Sequence, residues 1–278
     1  MRTYKVAAIQ TDTQNNKQEN LKKAACRIKE AAGEGAKLVC FPEEMNLMGR
    51  NIGEGGGAEE IPGYTSLFLA EQARKYGVYI HGGSFREQIA GDRRFGNTSI
   101  LLDPQGEIVA KYRKIHLFDA CLPDGTVCEE SKRICPGNQI VMADTELGKL
   151  GFTICYDLRF PELFRKLALE GAQVIFVPAN FTSPTGSAHW EVLLRARAIE
   201  NGCYIIAAGQ TGKKPKYESY GNSMIIDPWG KVLSRASDEE GVVYGEIDLD
   251  YLEEVRRQIP SLKNRREQVY AEPVKINQ

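Results

Sequence analysis

The sequence lacks several features that would assign it to a specialised class of protein. It has no run of about 18 apolar residues, so we expect no membrane-spanning segment. Neither sign of charge is in excess, because 36 Lys and Arg residues balance 37 Asp and Glu residues in a chain of 278. This balance argues against a dedicated binder of nucleic acid or of membrane surfaces. Proline and glycine, at 12 and 27 residues, are not enriched, which excludes collagen-like and disordered chains.

The first ten residues also lack the pattern of a signal peptide, because they run directly into a strand-like segment. The chain has seven cysteines, and an odd number without a leader indicates reduced thiols and a cytoplasmic location. Cys121, Cys128 and Cys135 recur every seven residues. Zinc ligands need closer pairs or a fourth partner, for which only His116 is near in sequence. We therefore predict no metal site.

Apolar residues make up 42% of the chain, enough for a large core. Short apolar strands alternate with helical patterns, which predicts an α/β fold with sheets covered on both faces. No linker marks a boundary, so we predict a single domain over residues 1–278. Segment 118–138 is the longest without a clear element, and such loops are usually functional. The predicted strands are 5–10, 37–41, 78–83, 97–102, 107–113, 150–155, 174–178, 203–210, 223–227, 232–235 and 242–247. The predicted helices are 20–32, 65–76, 161–170, 187–201 and 250–258, with Ser187 as an N-cap.

Cys155 lies where a predicted strand meets a predicted helix, with Pro161 suited to the first helical turn. Helix amides would lower the pKa of such a thiol, and the backbone N–H of Tyr156 would point toward an oxyanion formed there. A buried structural cysteine is the ordinary alternative.

Two further groups follow predicted strands. Glu43 comes after an apolar strand and Pro42, and Lys114 ends the second strand of a predicted hairpin. Each is unremarkable alone, as a solvated acid or a basic strand end. Together with Cys155 they lie at the carboxyl ends of strands, where α/β sheets build their sites. A thiol, a carboxylate and an ammonium are the parts needed for acyl transfer through a thioester.

The motifs resemble those of the nitrilase superfamily of carbon–nitrogen hydrolases. The matching segments are 41–43, 112–118, 154–162, 188–201 and 220–230. The resemblance implies a four-layer αββα sandwich, a Glu43–Lys114–Cys155 triad, and an oxyanion held by Lys114 and the Tyr156 amide. It implies no cofactor and no metal. It also implies a homodimer or higher homo-oligomer, with residues 261–278 as an arm on a partner subunit.

The family also has a second acid between the lysine and the cysteine. Glu130 matches it best, although Glu129 is adjacent. Within the superfamily the chain looks most like the Nit-type amidases, which include the ω-amidases and the deaminated glutathione amidases. It departs from them at Asn222, where such sequences often have histidine.

Substrates of the Nit-type amidases carry a carboxylate away from the scissile amide. Arg159 could fork onto such a group, although a helix-surface ion pair with Glu162 is an alternative. Phe181 and Thr185, in the loop after a predicted strand, could supply an apolar wall and a hydrogen bond, or could simply pack. Glu191 and Arg195 are spaced for a structural ion pair.

The resemblance therefore implies a thiol amidase that acts on the terminal amide of a small 2-oxo acid, such as deaminated glutathione or 2-oxoglutaramate. One alternative is an N-carbamoyl amide hydrolase with the same triad. Another is a non-catalytic binding protein on this fold, and a metal-binding protein is the third.

Overall fold

The computed structural model describes residues 2–49, 54–121, 125 and 127–270. The helices are α1 (Lys17–Gly33), α2 (Tyr64–Tyr76), α3 (Pro161–Leu169), α4 (Ser183–Asn201), α5 (Leu249–Gln258) and α6 (Glu267–Tyr270). The strands are β1 (Thr3–Gln10), β2 (Leu38–Cys40), β3 (Tyr79–His81), β4 (Phe85–Gln88), β5 (Phe95–Leu102), β6 (Ile108–Arg113), β7 (Asp119–Cys121), β8 (Val127–Glu129), β9 (Met142–Thr145), β10 (Gly148–Phe152), β11 (Val174–Phe176), β12 (Tyr204–Ala207), β13 (Thr211–Lys213), β14 (Glu218–Tyr220), β15 (Met224–Ile226), β16 (Val232–Arg235) and β17 (Gly241–Asp248). Short 3₁₀ turns cover Glu54–Gly57, Glu130–Lys132 and Cys155–Arg159.

Two large sheets contain most of these strands. In the described part of the chain, the first sheet has the order β17-β1-β2-β3-β5-β4, with β6 also paired to β5. The second has the order β16-β15-β12-β11-β10-β9. Each sheet is parallel in the middle, through β1, β2 and β3 or through β10, β11 and β12, and antiparallel at its flanks. The strands β7–β8 and β13–β14 form two small hairpins.

The alternation of side chains along β1 shows how the layers stack. Val6 and Ala8 join the core that contains the second sheet, whereas Ala7 and Ile9 face the core that contains α1 and α2. Successive residues of a strand point to opposite faces, so the first sheet is buried on both sides. The second sheet carries α3 and α4 on its other face. The order is helices, sheet, sheet, helices, which confirms the predicted αββα sandwich.

The facing sheets meet in an aromatic cluster around His81 on β3. Its ring lies 4.2 Å from that of Phe176 and 5.6 Å from that of Phe152, both on the second sheet. Burial lowers the pKa of His81 to about 3, so the ring is neutral near neutral pH. Ser99 Oγ lies 2.8 Å from its Nε2.

Helix ends follow their local sequence. Asn16 caps α1 by accepting from the Glu19 amide, and Gly202 ends α4 in the left-handed conformation. The prediction of Ser187 as the N-cap of α4 is wrong. The cap is Thr182, and the helix begins one turn earlier because Pro184 suits its first turn.

Very short segments account for the strands that were not predicted. These are β4, β7, β8, β9, β13 and β14, each of only three or four residues. Two of them lie in segment 118–138, which the sequence left without elements. These strands form through backbone pairing and not through hydrophobic periodicity, so no periodic pattern in the sequence predicts them.

Candidate active site

The thiol, carboxylate and ammonium predicted from the sequence come together at one edge of the sandwich. Glu43 follows β2 and Lys114 follows β6, both in the first sheet. Cys155 follows β10 in the second sheet. The side chains of Glu43 and Lys114 are buried, and Cys155 is 9% exposed.

Lys114 lies between two carboxylates. Its Nζ is 3.0 Å from Glu43 Oε1, and 2.8 and 2.9 Å from the two oxygens of Glu130. Glu130 Oε2 also accepts from the Phe118 amide at 2.6 Å, which fixes the carboxylate. Glu129, the other candidate for the second acid, pairs instead with the exposed Lys132. The structure thus places Glu130, and not Glu129, beside the ammonium.

Cys155 sits in a strained turn. Its φ is +51°, in the left-handed region that residues other than glycine rarely adopt. The Cys155 amide donates to Pro178 O at 2.8 Å, and the thiol donates a hydrogen bond to Glu43. The predicted position at the end of a strand is corrected: β10 ends at Phe152, and Cys155 opens the 3₁₀ turn that follows. The turn lifts the thiol out of the sheet toward the first sheet's Glu43.

The expected lowering of the thiol pKa is also wrong. Burial and the Glu43 carboxylate raise the pKa of Cys155 well above its ordinary value, despite the opposing effect of Lys114. Burial likewise raises the pKa of Glu43. Burial works against the charge of Lys114, but the Glu130 and Glu43 carboxylates raise its pKa. The raised pKa favours the protonated thiol of Cys155 over the thiolate.

Asp157 joins the Cys155 turn to the strand of Lys114, and sequence reasoning missed this role. Its fully buried carboxylate accepts from Ile154 N at 2.8 Å and from Tyr112 Oη at 2.6 Å through Oδ2. Through Oδ1 it accepts from His116 N at 3.0 Å and lies 2.7 Å from His116 Nδ1. Tyr112 and His116 stand two residues on either side of Lys114. This spacing was the available signal.

Arg197 of α4 holds the same turn from the helical side. Its Nε and Nη2 donate to Leu158 O at 3.0 and 2.8 Å. The buried guanidinium also pairs with Glu200. The Cys155 turn is thus fixed from both neighbouring layers.

Glu43 is held by two buried amide side chains that the sequence analysis did not single out. Asn97 Nδ2 donates to Glu43 Oε1 at 2.8 Å. Gln210 Nε2 donates to the Glu43 carbonyl at 2.8 Å and to Thr13 Oγ1 at 2.7 Å. The register of the predicted hairpin contained the signal for Asn97, because it places that residue opposite Lys114, whose amide donates to Asn97 O at 2.9 Å.

Among the predicted substrate-binding residues, Arg159 ends the Cys155 turn and contacts Phe181. The guanidinium of Arg159 lies over the rings of Tyr156 and Phe181, at 5.9 and 5.5 Å, and beside His189 Nδ1 at 3.3 Å. It makes no ion pair with Glu162 among the described residues. Phe181 is buried against Trp190.

Thr185 differs from its predicted place in a loop. It lies in the first turn of α4, where its Oγ1 is 2.9 Å from Thr182 Oγ1 and 3.2 Å from Thr182 O. Its hydroxyl is therefore already engaged at the start of the helix.

Comparison with known proteins identifies the family. The sequence model described as "Carbon-nitrogen hydrolase" matches residues 5–257. The chain belongs to the carbon–nitrogen hydrolase family. Among its relatives, the "Deaminated glutathione amidase" of Synechocystis is 43% identical over 269 residues, covering 95% of this chain and 99% of the relative. The "Omega-amidase NIT2" of Danio rerio is 41% identical over 275 residues, covering 98% of each chain. The C. elegans NitFhit protein superposes with a TM-score of 0.90 at 36% identity, covering 98% of this chain and 67% of that one.

These matches confirm the predicted resemblance to Nit-type amidases and the enzyme class. This carbon–nitrogen hydrolase has Asn222 where the sequence analysis noted a departure from related sequences. Its φ of +57° suits asparagine, and its Nδ2 donates to Tyr220 O while its Oδ1 accepts from Arg235. Trp190 Nε1 donates to Asn222 O at 2.8 Å. Asn222 thus links α4 to β14 and β16 through hydrogen bonds.

Other features of the hydrolase are structural. Glu191 pairs with Arg195 at 3.6 Å, as predicted, and with Arg235 at 3.0 Å. In the portions that the structure describes, no three His, Cys, Asp or Glu side chains form a group that could hold a metal ion. None of the described helices is both long and apolar enough to cross a membrane.

Proposed function

We propose that this carbon–nitrogen hydrolase is a thiol amidase acting on the ω-amide of a small 2-oxo acid, with deaminated glutathione and 2-oxoglutaramate as favoured substrates. The observation that carries the proposal is the contact chain Cys155–Glu43–Lys114–Glu130, which joins a thiol, a base and an ammonium in one buried site. The relatives named deaminated glutathione amidase and ω-amidase support the substrate class.

The proposed reaction starts from the protonated thiol. Glu43 takes the proton as Cys155 Sγ attacks the amide carbonyl carbon. The oxyanion is stabilised by the Lys114 ammonium and the Tyr156 N–H. Glu43 returns the proton to the amide nitrogen, the C–N bond breaks and ammonia leaves.

The second half of the reaction hydrolyses the thioester. Water attacks the acyl carbon while Glu43 accepts its proton, and the C–S bond then breaks. Cys155 regains a proton and the carboxylic acid is released. Glu130 keeps the Lys114 ammonium charged and in place throughout, because it bonds Nζ through both oxygens.

We propose that Arg159 binds the distal carboxylate of the substrate, with Phe181 as an apolar wall. The guanidinium lies over two ring faces, and both of its Nη atoms are 3.3 Å from His189 Nδ1, but no carboxylate of the described residues pairs with it. Its charge is therefore available to a substrate carboxylate. Thr185 is the weakest member of the predicted set, because Thr182 already engages its hydroxyl.

The test is ammonia release from 2-oxoglutaramate and from deaminated glutathione, with Cys155→Ala beside the native enzyme. Release that vanishes in the variant supports the proposal, and the ratio of the two rates ranks the substrates. Release of carbon dioxide with ammonia from an N-carbamoyl compound, and none from the two amides, would favour the carbamoyl hydrolase. Activity that survives in Cys155→Ala would refute the thiol mechanism.

We also propose a homodimer, formed through an apolar patch on α4 and the β15–β16 turn. Val192 and Ile199 are 68% and 53% exposed and stand seven residues apart, on one face of the helix. Trp229 in the neighbouring turn is 51% exposed, and Ile199 contacts Gly230 beside it. Light scattering of Val192→Glu, with the exposed Val109→Glu as control, should show a smaller mass only for the α4 variant.

Two further expectations remain proposals. Residues 1–278 form one domain whose segment 261–278 lies on the partner subunit, although residues 271–278 fall outside the described part. The enzyme is cytoplasmic, which the need of its mechanism for a reduced thiol supports.

A further inference from the structure

We propose that Asn97 is a positioning residue of this reaction, which fixes one oxygen of Glu43 so that the other receives the thiol proton of Cys155. The inference rests on the role proposed above for Glu43. The side-chain amide of Asn97 contacts neither the Cys155 thiol nor the Lys114 ammonium. It acts through Glu43, the proposed base.

The contacts of the Glu43 carboxylate carry the proposal. Asn97 Nδ2 and Lys114 Nζ both donate to Oε1, at 2.8 and 3.0 Å. A carboxylate oxygen with two donors is fully engaged, so Oε2 is left for the proton of Cys155. Lys114 alone would leave the carboxylate free to rotate about its Cγ–Cδ bond, whereas two donors from different directions fix its plane.

The backbone couples this amide to the ammonium. Lys114 N donates to Asn97 O at 2.9 Å across the β5–β6 hairpin. The same two residues therefore bond to each other through the backbone and to Glu43 Oε1 through their side chains. This closed loop sets the direction of the base relative to the oxyanion site.

The burial of Asn97 leaves the side-chain amide with an unsatisfied hydrogen-bond acceptor. The residue is 3% exposed, and within the described residues its Oδ1 has no hydrogen-bond partner. A buried unpaired acceptor is destabilising, and an apolar residue at this strand position would avoid it. The donation to Glu43 is the compensating interaction.

The amide also favours the charged form of the base. Burial raises the pKa of Glu43, and a donor on the carboxylate opposes that rise. Removing the donor should therefore raise the pKa further and move the acid limb of activity to higher pH. The other titratable groups that act on Glu43 are Lys114, Glu130, Cys155, Glu44 and Tyr217.

The test compares Asn97→Ala and Asn97→Asp with the same changes at Asn201. Asn201 is a matched control, because it is also buried with an unpaired Oδ1, but its amide donates to Arg197 O in α4. One readout is the pH dependence of ammonia release. The other is the pH dependence of iodoacetamide alkylation of Cys155, followed by mass spectrometry of its peptide, which needs no substrate.

The expected result is an acid limb about one pH unit higher in Asn97→Ala, in both readouts, with kcat lowered more than KM changes. Asn97→Asp should shift it further, because a second carboxyl faces Glu43. It keeps the size of asparagine and carries the test if Asn97→Ala does not fold. The Asn201 variants should lose stability without a shift.

An unmoved limb in the Asn97 variants, or an equal shift in the Asn201 variants, overturns the inference. Failure of the proposed function looks different. In that case native enzyme releases no ammonia from either amide, while the alkylation profile still reports on Asn97.

Discussion

The carboxylate of Asp157 offers a sharp test of how Cys155, the proposed nucleophile, is held in place. Asp157→Asn keeps the shape of the side chain but replaces one of its two oxygens with an NH₂ group. Each oxygen faces one backbone donor, Ile154 N or His116 N, and one group that can reverse its role. The hydroxyl of Tyr112 can accept instead of donate, and the His116 ring can change tautomer.

The structure therefore gives a magnitude. Whichever way the new amide turns, one backbone N–H loses its acceptor and faces a donor. An unsatisfied buried donor costs about 1–3 kcal/mol, so Asp157→Asn should lower the free energy of unfolding by about that amount. Asp157→Ala leaves both backbone donors without an acceptor and adds a cavity, so we expect about 3–5 kcal/mol.

Activity should fall further than stability accounts for. The hydrogen bonds of Asp157 set the distance between Cys155 and Lys114, and a displacement near 1 Å can lower the rate about 100-fold. Urea denaturation and ammonia release of Asp157→Asn would be measured beside Asp144→Asn, an exposed aspartate of β9. A variant with unfolding free energy within about 0.5 kcal/mol of native and with full kcat would refute this reasoning.

Three further predictions concern Glu43, Gly83 and His81. Glu43→Gln should lower kcat by at least about 100-fold and abolish the acid limb of the pH profile, which lies above the ordinary 4.5 because the pKa of Glu43 is raised. A raised carboxyl pKa means that its charge costs stability above that pKa, so the variant's urea midpoint at pH 7 should not fall; a lower midpoint would contradict this. Gly83→Ala would place a Cβ against Pro42 O, next to Glu43 in the chain. We expect it to lower the free energy of unfolding by about 3 kcal/mol or more and to reduce activity. Gly77→Ala has a similar φ but meets no described atom within 4 Å, so it should cost only about 1 kcal/mol with activity retained; equal losses would remove the steric argument. The pKa of His81 is near 3 in the folded protein, against 6.5 in the unfolded chain. Between pH 6.5 and 4 the ring therefore takes up a proton in the unfolded chain but not in the folded protein, so this group should lower the free energy of unfolding by about 3 kcal/mol over that range. His81→Gln should lose less over that range in urea titrations, and an identical pH dependence would show that the ring is not the cause.

The sequence was informative wherever hydrophobic periodicity or a catalytic motif marked a segment. The parallel strands β1, β2 and β11 and the helix α5 were predicted to within a few residues, because each has a buried apolar pattern. The hairpins β7–β8 and β13–β14 were not predicted, because each strand has only three residues and the pairing depends on backbone contacts.

The same distinction applies to the site. Glu43, Lys114 and Cys155 could be proposed because their residue types match a known chemistry. The raised pKa of Cys155 could not, since it depends on how completely the two sheets bury the thiol. Asn97 and Asp157 contact Glu43 and Tyr112 across 54 and 45 residues of chain. The hairpin register and the spacing around Lys114 mark the region of these contacts but do not identify both partners.

Glu43 and Cys155, the proposed base and nucleophile, follow strands of different sheets, so the proposed chemistry depends on the docking of the two sheets. Either sheet alone carries only an ordinary thiol or an ordinary ion pair. The chemistry appears when the aromatic cluster around His81 closes and Glu43 meets Cys155. A chain whose two sheets have not docked should therefore show no activity. During refolding, the onset of turnover would report the docking of the two sheets more directly than any measure of secondary structure.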